Sequence, residues 1–289
     1  MQGKRPAEYN HAPLPVLQTS GARINYRRTG TGPAVLLIQG AGVGADGWRP
    51  QLDGLADRYT LLTFDNRGIG GSTLDRGAAV TIEDMARDAL AIADAEGIDR
   101  FHVAGHSMGG LIAQALALGA PERVKSLALL CTFVHGRQGA RMTIPMLATA
   151  LRMRIGTRRM RRNAFLELVM PAAYLARCDR SRLAQEVGLL FGYDLASQPF
   201  FVMRQVRAMA IYDAAARWPE LASIPTLVAS AIHDRIALPE YGRTLAPLVN
   251  GRYVEFGDAG HGVTIQRAQE VNALLSEHFA AAEGARAAG

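Results

Sequence analysis

The residues best suited to chemistry in this 289-residue chain form a Gly-x-Ser-x-Gly motif at residues 105–109, with Ser107 at its centre. An apolar run of strand character precedes the motif, and a helix-like run over residues 111–118 follows it. A sharp turn from strand to helix exposes the serine hydroxyl at the end of a sheet, and the glycines remove side chains that would collide there. The motif therefore predicts that Ser107 is a nucleophile.

A serine hydroxyl is a weak nucleophile near neutral pH, so Ser107 needs a base, and the base needs an acid that orients it. Two late strand-like segments end in suitable residues: Asp234 follows residues 226–231, and His261 follows residues 252–256. Their order after the serine, and their places on loops at strand ends, predict a catalytic triad of Ser107, His261 and Asp234.

Other acids and histidines fit these roles less well. Asp258 lies three residues before His261 and is expected to shape its own turn, while Asp65 ends an earlier strand in a structural loop. His102 lies within the strand before the serine motif and His106 inside the turn, so both are expected to pack or hydrogen-bond rather than act as the base. No pair of histidines has the helical spacing of metal ligands, and therefore no metal is predicted.

Charge that develops on a substrate carbonyl oxygen requires backbone N–H donors, which together form an oxyanion hole. Met108, the residue after the nucleophile at the start of a helix, is predicted to supply one donor. Ala41 is predicted to supply the second, because it lies in a glycine-rich loop, residues 39–44, that follows a buried strand. This loop lacks the spacing of a dinucleotide-binding motif and the lysine of a P-loop, so phosphate binding is not expected.

The elements that must position these residues alternate between strand-like and helix-like runs. After an opening hairpin over residues 14–28, the core strands are predicted at residues 34–38, 60–64, 101–104, 124–131, 226–231 and 252–256. Thr81 is predicted to cap the helix before the serine motif, with Asp84 as its acidic partner three residues on. The alternation predicts the α/β class, with a mostly parallel, eight-stranded sheet covered by helices on both faces.

The alternation stops between residues 131 and 224, where the sequence favours helices only, around residues 145–154, 158–169, 180–191 and 200–217. An all-helical insertion predicts a cap over the catalytic residues, and hence a core in two parts, residues 1–133 and 223–289, with the cap at residues 134–222. Residues 135–217 contain fourteen arginines, no lysine and five acidic residues. The cap is therefore expected to be a solvated helical surface, or to attract an anionic substrate or an acidic carrier protein.

Substrate recognition is expected to fall to the cap and to residues beside the serine motif, which together would form an apolar acyl or alcohol pocket. The candidate substrate-binding residues are Gly40, Trp48, Met142, Met146, Phe191 and Phe201.

The composition narrows the class of protein. The formal net charge is +6, but aromatic residues make up only 7% of the chain, which disfavours a nucleic-acid binder. No run approaches the roughly twenty apolar residues that span a bilayer, and no signal-peptide pattern is present. With two cysteines the chain has no disulfide framework. A cytoplasmic protein without stable membrane insertion is predicted.

Four features together resemble the α/β-hydrolase superfamily: the motif at residues 105–109, residues 64–72, Asp234 and residues 260–262. The resemblance is to small capped bacterial esterases, enol-lactonases and cofactor-free haloperoxidases, and it covers roughly residues 12–282. It implies a hydrolase that uses the triad and needs no cofactor.

Two positions refine the resemblance. Many relatives carry His-Gly in the oxyanion loop, whereas this chain has Gln39 before its glycine, which affects the hydrogen bonds that brace the loop. Haloalkane dehalogenases and epoxide hydrolases carry an aspartate where this chain has Ser107, so those classes are excluded.

Three functions remain open from the sequence. The leading prediction is a carboxylesterase-like serine hydrolase of small molecules that works through an acyl-enzyme and includes lactones and thioesters in its range. The second is hydrolysis of a carbon–carbon bond in a β-diketone or vinylogous acid by the same triad. The third is a non-catalytic ligand receptor on the same fold.

Overall fold

The computed structural model describes residues 14–287. One sheet contains nine strands: β1 (Val16–Thr19), β2 (Ala22–Thr29), β3 (Ala34–Ile38), β4 (Thr60–Phe64), β5 (Thr73–Leu74), β6 (Phe101–His106), β7 (Val124–Leu130), β8 (Thr226–Ala231) and β9 (Arg252–Phe256). The helices are α1 (Arg49–Leu55), α2 (Ile82–Ala95), α3 (Met108–Gly119), α4 (Gly136–Gly139), α5 (Ile144–Arg152), α6 (Arg158–Val169), α7 (Ala172–Leu175), α8 (Arg180–Phe191), α9 (Val202–Ile211), α10 (Pro239–Leu248), α11 (Val263–Gln266) and α12 (Ala268–Ala287).

The strand order is β1-β2-β4-β3-β6-β7-β8-β9, and the six strands from β4 to β9 in this order are parallel. The opening hairpin pairs antiparallel with β4, and the short β5 pairs antiparallel with β2. The predicted α/β class and mostly parallel sheet are therefore confirmed, with one strand more than the eight predicted. From β3 the chain continues to β4 on one side of the sheet, and from β6 it continues to β7 on the other side. Such a switch point forms a crevice at the carboxyl ends of the strands.

The parallel strands form where the sequence is continuously apolar. Every residue of β3, β4, β6 and β8 is buried, as expected for strands covered by helices on both faces. The helices flank the sheet in two groups, in which α2 packs on α3 and α1 packs on α12. The predicted cap of α2 is confirmed, because Thr81 Oγ1 accepts a hydrogen bond from the Asp84 amide at 3.0 Å.

The chain between β7 and β8 is helical and packs in two ways. Helices α6 to α8 share a small apolar cluster that includes Phe165, Leu166 and Leu183. Helix α9 instead packs into the main core through Ala208 and Met209. The segment that we propose as the cap, residues 134–222, thus has a core of its own and is also anchored to the sheet domain. Residues 1–13 and 288–289 of the two predicted core segments lie outside the described residues.

No helix within residues 14–287 combines the length and the apolar character that a bilayer-spanning helix needs.

Candidate active site

Ser107 lies in a strained turn between β6 and α3. Its backbone φ is 56° and ψ is −122°, a conformation that L-residues rarely adopt and that is often found at functional sites. Two glycines make the turn possible, since a Cβ on Gly109 would overlap the Ile38 carbonyl and a Cβ on Gly105 would overlap the Gly109 carbonyl. The motif therefore brings α3 into contact with β3 and β6 and leaves the serine at the sheet edge.

The three predicted triad residues meet through hydrogen bonds, although 154 residues separate the serine from the histidine. His261 Nε2 lies 2.9 Å from Ser107 Oγ, and His261 Nδ1 lies 2.7 Å from Asp234 Oδ2. With Nδ1–H donating to the carboxylate, Nε2 is free to accept the serine proton. All three residues are buried, so bulk water competes little for these bonds.

Asp234 is held on both of its oxygens. Its Oδ1 accepts from the amides of Ile236 at 2.8 Å and Ala237 at 2.9 Å, which leaves Oδ2 for His261. The thiol of Cys131 also hydrogen-bonds to this carboxylate, and burial together with the negative charge of Asp234 raises the pKa of that thiol well above its ordinary value. The thiol therefore stays protonated and acts as a hydrogen-bond donor toward Asp234.

The competing acids have other partners. Asp65 accepts from the Ala45 amide at 2.7 Å and from the Gly71 amide at 2.8 Å, so it fastens two loops together. Asp258 is exposed and forms an ion pair with Arg267. Neither carboxylate contacts the His261 ring in the described structure, in which Asp234 occupies that position.

His106 supports the loop that carries His261. Its Nε2 donates to the backbone carbonyl of His261 at 2.9 Å, and the two ring centroids are 4.8 Å apart. Burial, with a further contribution from the nearby His261 ring, lowers the pKa of His106 to about 3. His106 is therefore a neutral positioning residue. His102, earlier in β6, hydrogen-bonds to Ser126 and Glu283, so it does not act as the base either.

The predicted oxyanion residues flank Ser107. Gly40 lies so close to the serine that a Cβ on it would be 3.0 Å from Ser107 Cβ. The amide of Gly40 donates to the Gln39 side chain, and the amide of Gly42 donates to the Gln205 side chain. Among residues 14–287, no hydrogen bond uses the Ala41 amide. Met108 is the first residue of α3, where backbone amides lack partners within the helix.

A residue that sequence reasoning missed braces this loop. Gln205, fully buried on α9, accepts from the Gly42 amide at 2.8 Å and donates to the Arg67 carbonyl at 3.4 Å. The Gln39 carbonyl is held by Asn66 at 3.1 Å. The only signal in the sequence is an amide side chain on the apolar side of a predicted helix, and that signal does not indicate its partner.

An apolar cavity of about 240 Å³ lies over Ser107 and His261. The helices between β7 and β8 close it from above, with side chains that include Met146, Phe165, Leu168, Phe191, Val202 and Met209. Three of the predicted substrate-binding residues, Gly40, Met146 and Phe191, line this cavity.

The other three predicted substrate-binding residues do not line the cavity. Trp48 is fully buried among the residues of the main core, so its indole ring contributes to core packing. Met142 precedes α5 and is 62% exposed. Phe201 instead packs on Gly68, and its ring centroid lies 4.9 Å from the guanidinium carbon of Arg204.

A second, outer cavity of about 490 Å³ adjoins the first. Met146, Leu168 and Ile236 line both cavities and form the wall between them. The outer cavity also contains Arg141 and Arg235, and neither guanidinium pairs with a carboxylate among the described residues. The arrangement joins an apolar chamber over the reactive serine to an outer cavity lined by two arginines and by Asp234.

The family described as alpha/beta hydrolase fold matches residues 33–268. A protein named as a carbamate hydrolase, RutD, from Variovorax paradoxus is 32% identical over 86% of this chain and 92% of its own. With RutD of Azorhizobium caulinodans the identity is 43%, but over 117 residues that cover 40% of this chain and 44% of that protein.

Two further relatives cover nearly the whole chain. A protein named as a non-heme bromoperoxidase, BpoC, from Mycobacterium tuberculosis H37Rv is 31% identical over 88% of this chain and 97% of its own. The crystal structure of the enol-lactonase from Burkholderia xenovorans LB400 is 29% identical, covers 92% of this chain and 100% of its own, and superposes with a TM-score of 0.71.

Proposed function

This chain belongs to the α/β-hydrolase family, and from that premise we propose that it is a serine hydrolase that cleaves a carboxylic ester, with lactones and thioesters in its range. The observation that carries the proposal is the hydrogen-bonded series from Ser107 through His261 to Asp234, at 2.9 and 2.7 Å, on a strained turn under an apolar cavity. Nucleophile, base and orienting acid are in contact without any rearrangement.

The reaction follows from these contacts. Ser107 Oγ attacks the acyl carbon while His261 Nε2 takes its proton, and Asp234 stabilises the imidazolium that forms. The amides of Ala41 and Met108 stabilise the negative charge on the carbonyl oxygen. His261 then protonates the leaving alcohol, and the acyl group remains on Ser107. Water that gives its proton to His261 attacks this acyl-enzyme and releases the acid.

The cavity supports an apolar substrate. Its volume of about 240 Å³ and its Met, Leu, Phe and Val side chains suit a short or medium acyl chain or a small ring. Two of the relatives are named for related carbonyl substrates, a carbamate and an enol-lactone. Both substrates present an acyl carbon to a serine nucleophile. Cleavage of a carbon–carbon bond is the second candidate that the same residues allow.

We further propose that the substrate carries an anionic group away from its reacting carbonyl. Arg141 and Arg235 in the outer cavity have no acidic partners in the described structure. The side chains that line both cavities separate these arginines from the catalytic cavity, and one of them, Met146 on α5, is a flexible methionine. A carboxylate there would gain two charge-assisted contacts. An acidic carrier protein at the arginine-rich cap stays a prediction.

The test is a panel of p-nitrophenyl esters of increasing chain length, extended with a half-ester of a dicarboxylic acid, a lactone, a carbamate and a β-diketone. Wild-type protein is expected to turn over the esters, and Ser107→Ala to lose about 10³-fold or more of kcat/KM. Ser181→Ala, on the exposed surface of α8, is the matched control and is expected to keep full activity. Raising the salt concentration is expected to slow only the half-ester.

Several outcomes contradict the proposal. Ester turnover that survives in Ser107→Ala would remove the serine mechanism, and preferential turnover of the β-diketone would favour carbon–carbon cleavage. Tight retention of a ligand with no turnover would favour a receptor. Equal salt effects on neutral and charged esters would remove the anionic group from the proposal and leave ester hydrolysis intact.

A further inference from the structure

Exposed apolar side chains are concentrated in the helical segment above the active site. Ten of the thirteen large apolar residues that are exposed in the described structure lie within residues 142–211, which are about a quarter of the described chain. Six of the ten lie within residues 142–160. Single exposed apolar residues are ordinary, but a dense group of them marks a contact surface.

Helix α5 places three of these residues on one face. Ile144, Leu147 and Leu151 follow the i, i+3, i+7 spacing and are 86%, 59% and 57% exposed, and Ile155 continues the row at 61%. The opposite face is occupied, since Met146 lines the catalytic cavity. Helix α5 therefore has two apolar faces, of which only one is covered by the described chain.

Phe200 extends this surface. Its ring is 82% exposed and lies 5.7 Å from the guanidinium carbon of Arg154, which follows α5 in the chain. We call the group Ile144, Leu147, Leu151, Ile155 and Phe200 the lid patch.

The surroundings of the lid patch are cationic. Residues 140–166 contain seven arginines and no acidic residue. The nearest acids along the chain and in space are already neutralised, because Glu167 pairs with two arginines and Asp194 pairs with two others. Arg154 and Arg159 have no acidic partner in the described part of the chain. The patch is thus an exposed apolar row with uncompensated positive charge at one end.

We propose that the lid patch docks on the surface of an anionic phospholipid bilayer. Apolar side chains on one face of a helix enter the boundary between headgroups and acyl chains, and arginines beside them bind lipid phosphates. A fluid bilayer accommodates an exposed row of apolar side chains without a preformed groove, and its negative charge complements the arginines. The contact is peripheral, since no described helix crosses a membrane.

The position of Met146 connects this surface to the catalytic cavity. Because one helix carries the lid patch outside and Met146 inside, docking through α5 places the roof of the cavity at the lipid surface. An apolar ester dissolved in the bilayer would then have a short path to Ser107.

The test is co-sedimentation of the full chain with vesicles of phosphatidylcholine, with and without about 30% phosphatidylglycerol. Wild-type protein is expected to bind the anionic vesicles about tenfold more tightly than the neutral ones, and less so at high salt. Leu147→Ser with Leu151→Ser is expected to weaken binding to both vesicles about tenfold. Arg154→Gln with Arg159→Gln is expected to remove most of the preference for anionic vesicles.

Two controls separate docking from folding and from catalysis. Leu248→Ser changes an exposed leucine on α10, and Ser107→Ala removes the nucleophile; both are expected to bind vesicles as wild type does. Hydrolysis of a soluble short-chain ester is expected to be unchanged in the Leu147/Leu151 variant, whose side chains lie outside the cavity lining.

The proposal is overturned by any of three results. Wild-type protein that binds neither vesicle, or a Leu147/Leu151 variant that binds as wild type does, would exclude the lid patch as the docking surface. Self-association in the absence of vesicles that the same variant abolishes would assign the patch to a second copy of this chain. None of these results bears on the serine chemistry, which the ester panel tests.

Discussion

The direction of the His261 ring depends on how firmly Asp234 is held. Two backbone amides fix one carboxylate oxygen and leave the other, at 2.7 Å, for the ring. The carboxylate therefore selects the tautomer in which Nε2 faces the serine. An amide at this position would keep the size of the side chain but could present an N–H group to the ring.

We expect Asp234→Asn to lower kcat for an ester about 10⁴-fold, by analogy with the aspartate of other Ser-His-Asp triads, while the fold is retained. Steady-state kinetics with a p-nitrophenyl ester measure the loss, and circular dichroism checks the fold. Asp258→Asn is the matched control, because it changes an exposed acid three residues before His261. A loss below tenfold in Asp234→Asn, or an equal loss in the control, would contradict the role of Asp234.

The sequence indicates these residues because each follows a recognisable local pattern. Ser107 has its flanking glycines, and Asp234 and His261 each follow a strand-like run. Trp48 and Phe201 have no such pattern, and their apolar character is compatible with a core or a pocket alike. Side-chain direction at such positions depends on packing between distant segments, which spacing along the chain does not determine.

At the scale of elements, α9 connects the helical segment to the oxyanion loop. Its Gln205 side chain reaches from the helical segment to the Gly42 amide, one residue after the proposed donor Ala41. In the proposed reaction, a loop held at this amide would keep the neighbouring amide directed toward the substrate oxygen. In the proposed reaction, the helix above the cavity therefore contributes to transition-state stabilisation without touching the substrate carbonyl.

We expect Gln205→Leu to lower kcat about tenfold and to change KM by less than about threefold, because the brace matters most when negative charge forms on the substrate oxygen. Steady-state kinetics at saturating and limiting ester give both constants. Arg207→Gln, an exposed change on the same helix, is expected to leave both unchanged. A variant that is less stable but keeps the wild-type kcat would reduce Gln205 to a packing role.

The helix boundaries show where the apolar periodicity of the sequence is sufficient to predict a helix and where it is not. Helices α6 and α8 begin and end at the predicted residues 158–169 and 180–191. The helix predicted over residues 200–217 is instead divided, since α9 ends at Ile211 and a 3₁₀ helix that contains Pro219 follows over Ala215–Ser223. Strand β5 was not predicted, because two residues carry no period.

At the scale of the whole molecule, the sheet brings the carboxyl ends of β3, β6, β8 and β9 to one edge. In a parallel sheet the carboxyl ends of all strands lie at the same edge. A sequence with several apolar, strand-like runs therefore predicts that the residues following those runs lie close together. Helix α9 packs into the main core, whereas α6 to α8 form their own cluster. The sequence could not predict this difference, because both groups of helices have similar amphipathic sequences.

The buried histidines tie the stability of the whole molecule to pH. Burial lowers the pKa of His102 to about 4 and that of His106 to about 3, whereas an unfolded histidine titrates near 6.5. The folded state therefore binds fewer protons than the unfolded state once the pH falls below about 6.5. The stability that comes from keeping these rings neutral is complete above that pH and is lost as the pH falls toward 4.

We expect the free energy of unfolding, measured by urea titration between pH 7.5 and pH 5, to be level above pH 6.5 and to fall below it. The slope is on the order of 1 kcal/mol per pH unit for each buried histidine. Replacing His102 by Gln is expected to lower stability at pH 7.5 and to reduce this slope. His233→Gln, an exposed change on the loop of Asp234, is expected to keep the wild-type slope. A wild-type stability that stays level down to pH 5, or a slope that His102→Gln leaves intact, would show that the folded protein accepts these protons without cost.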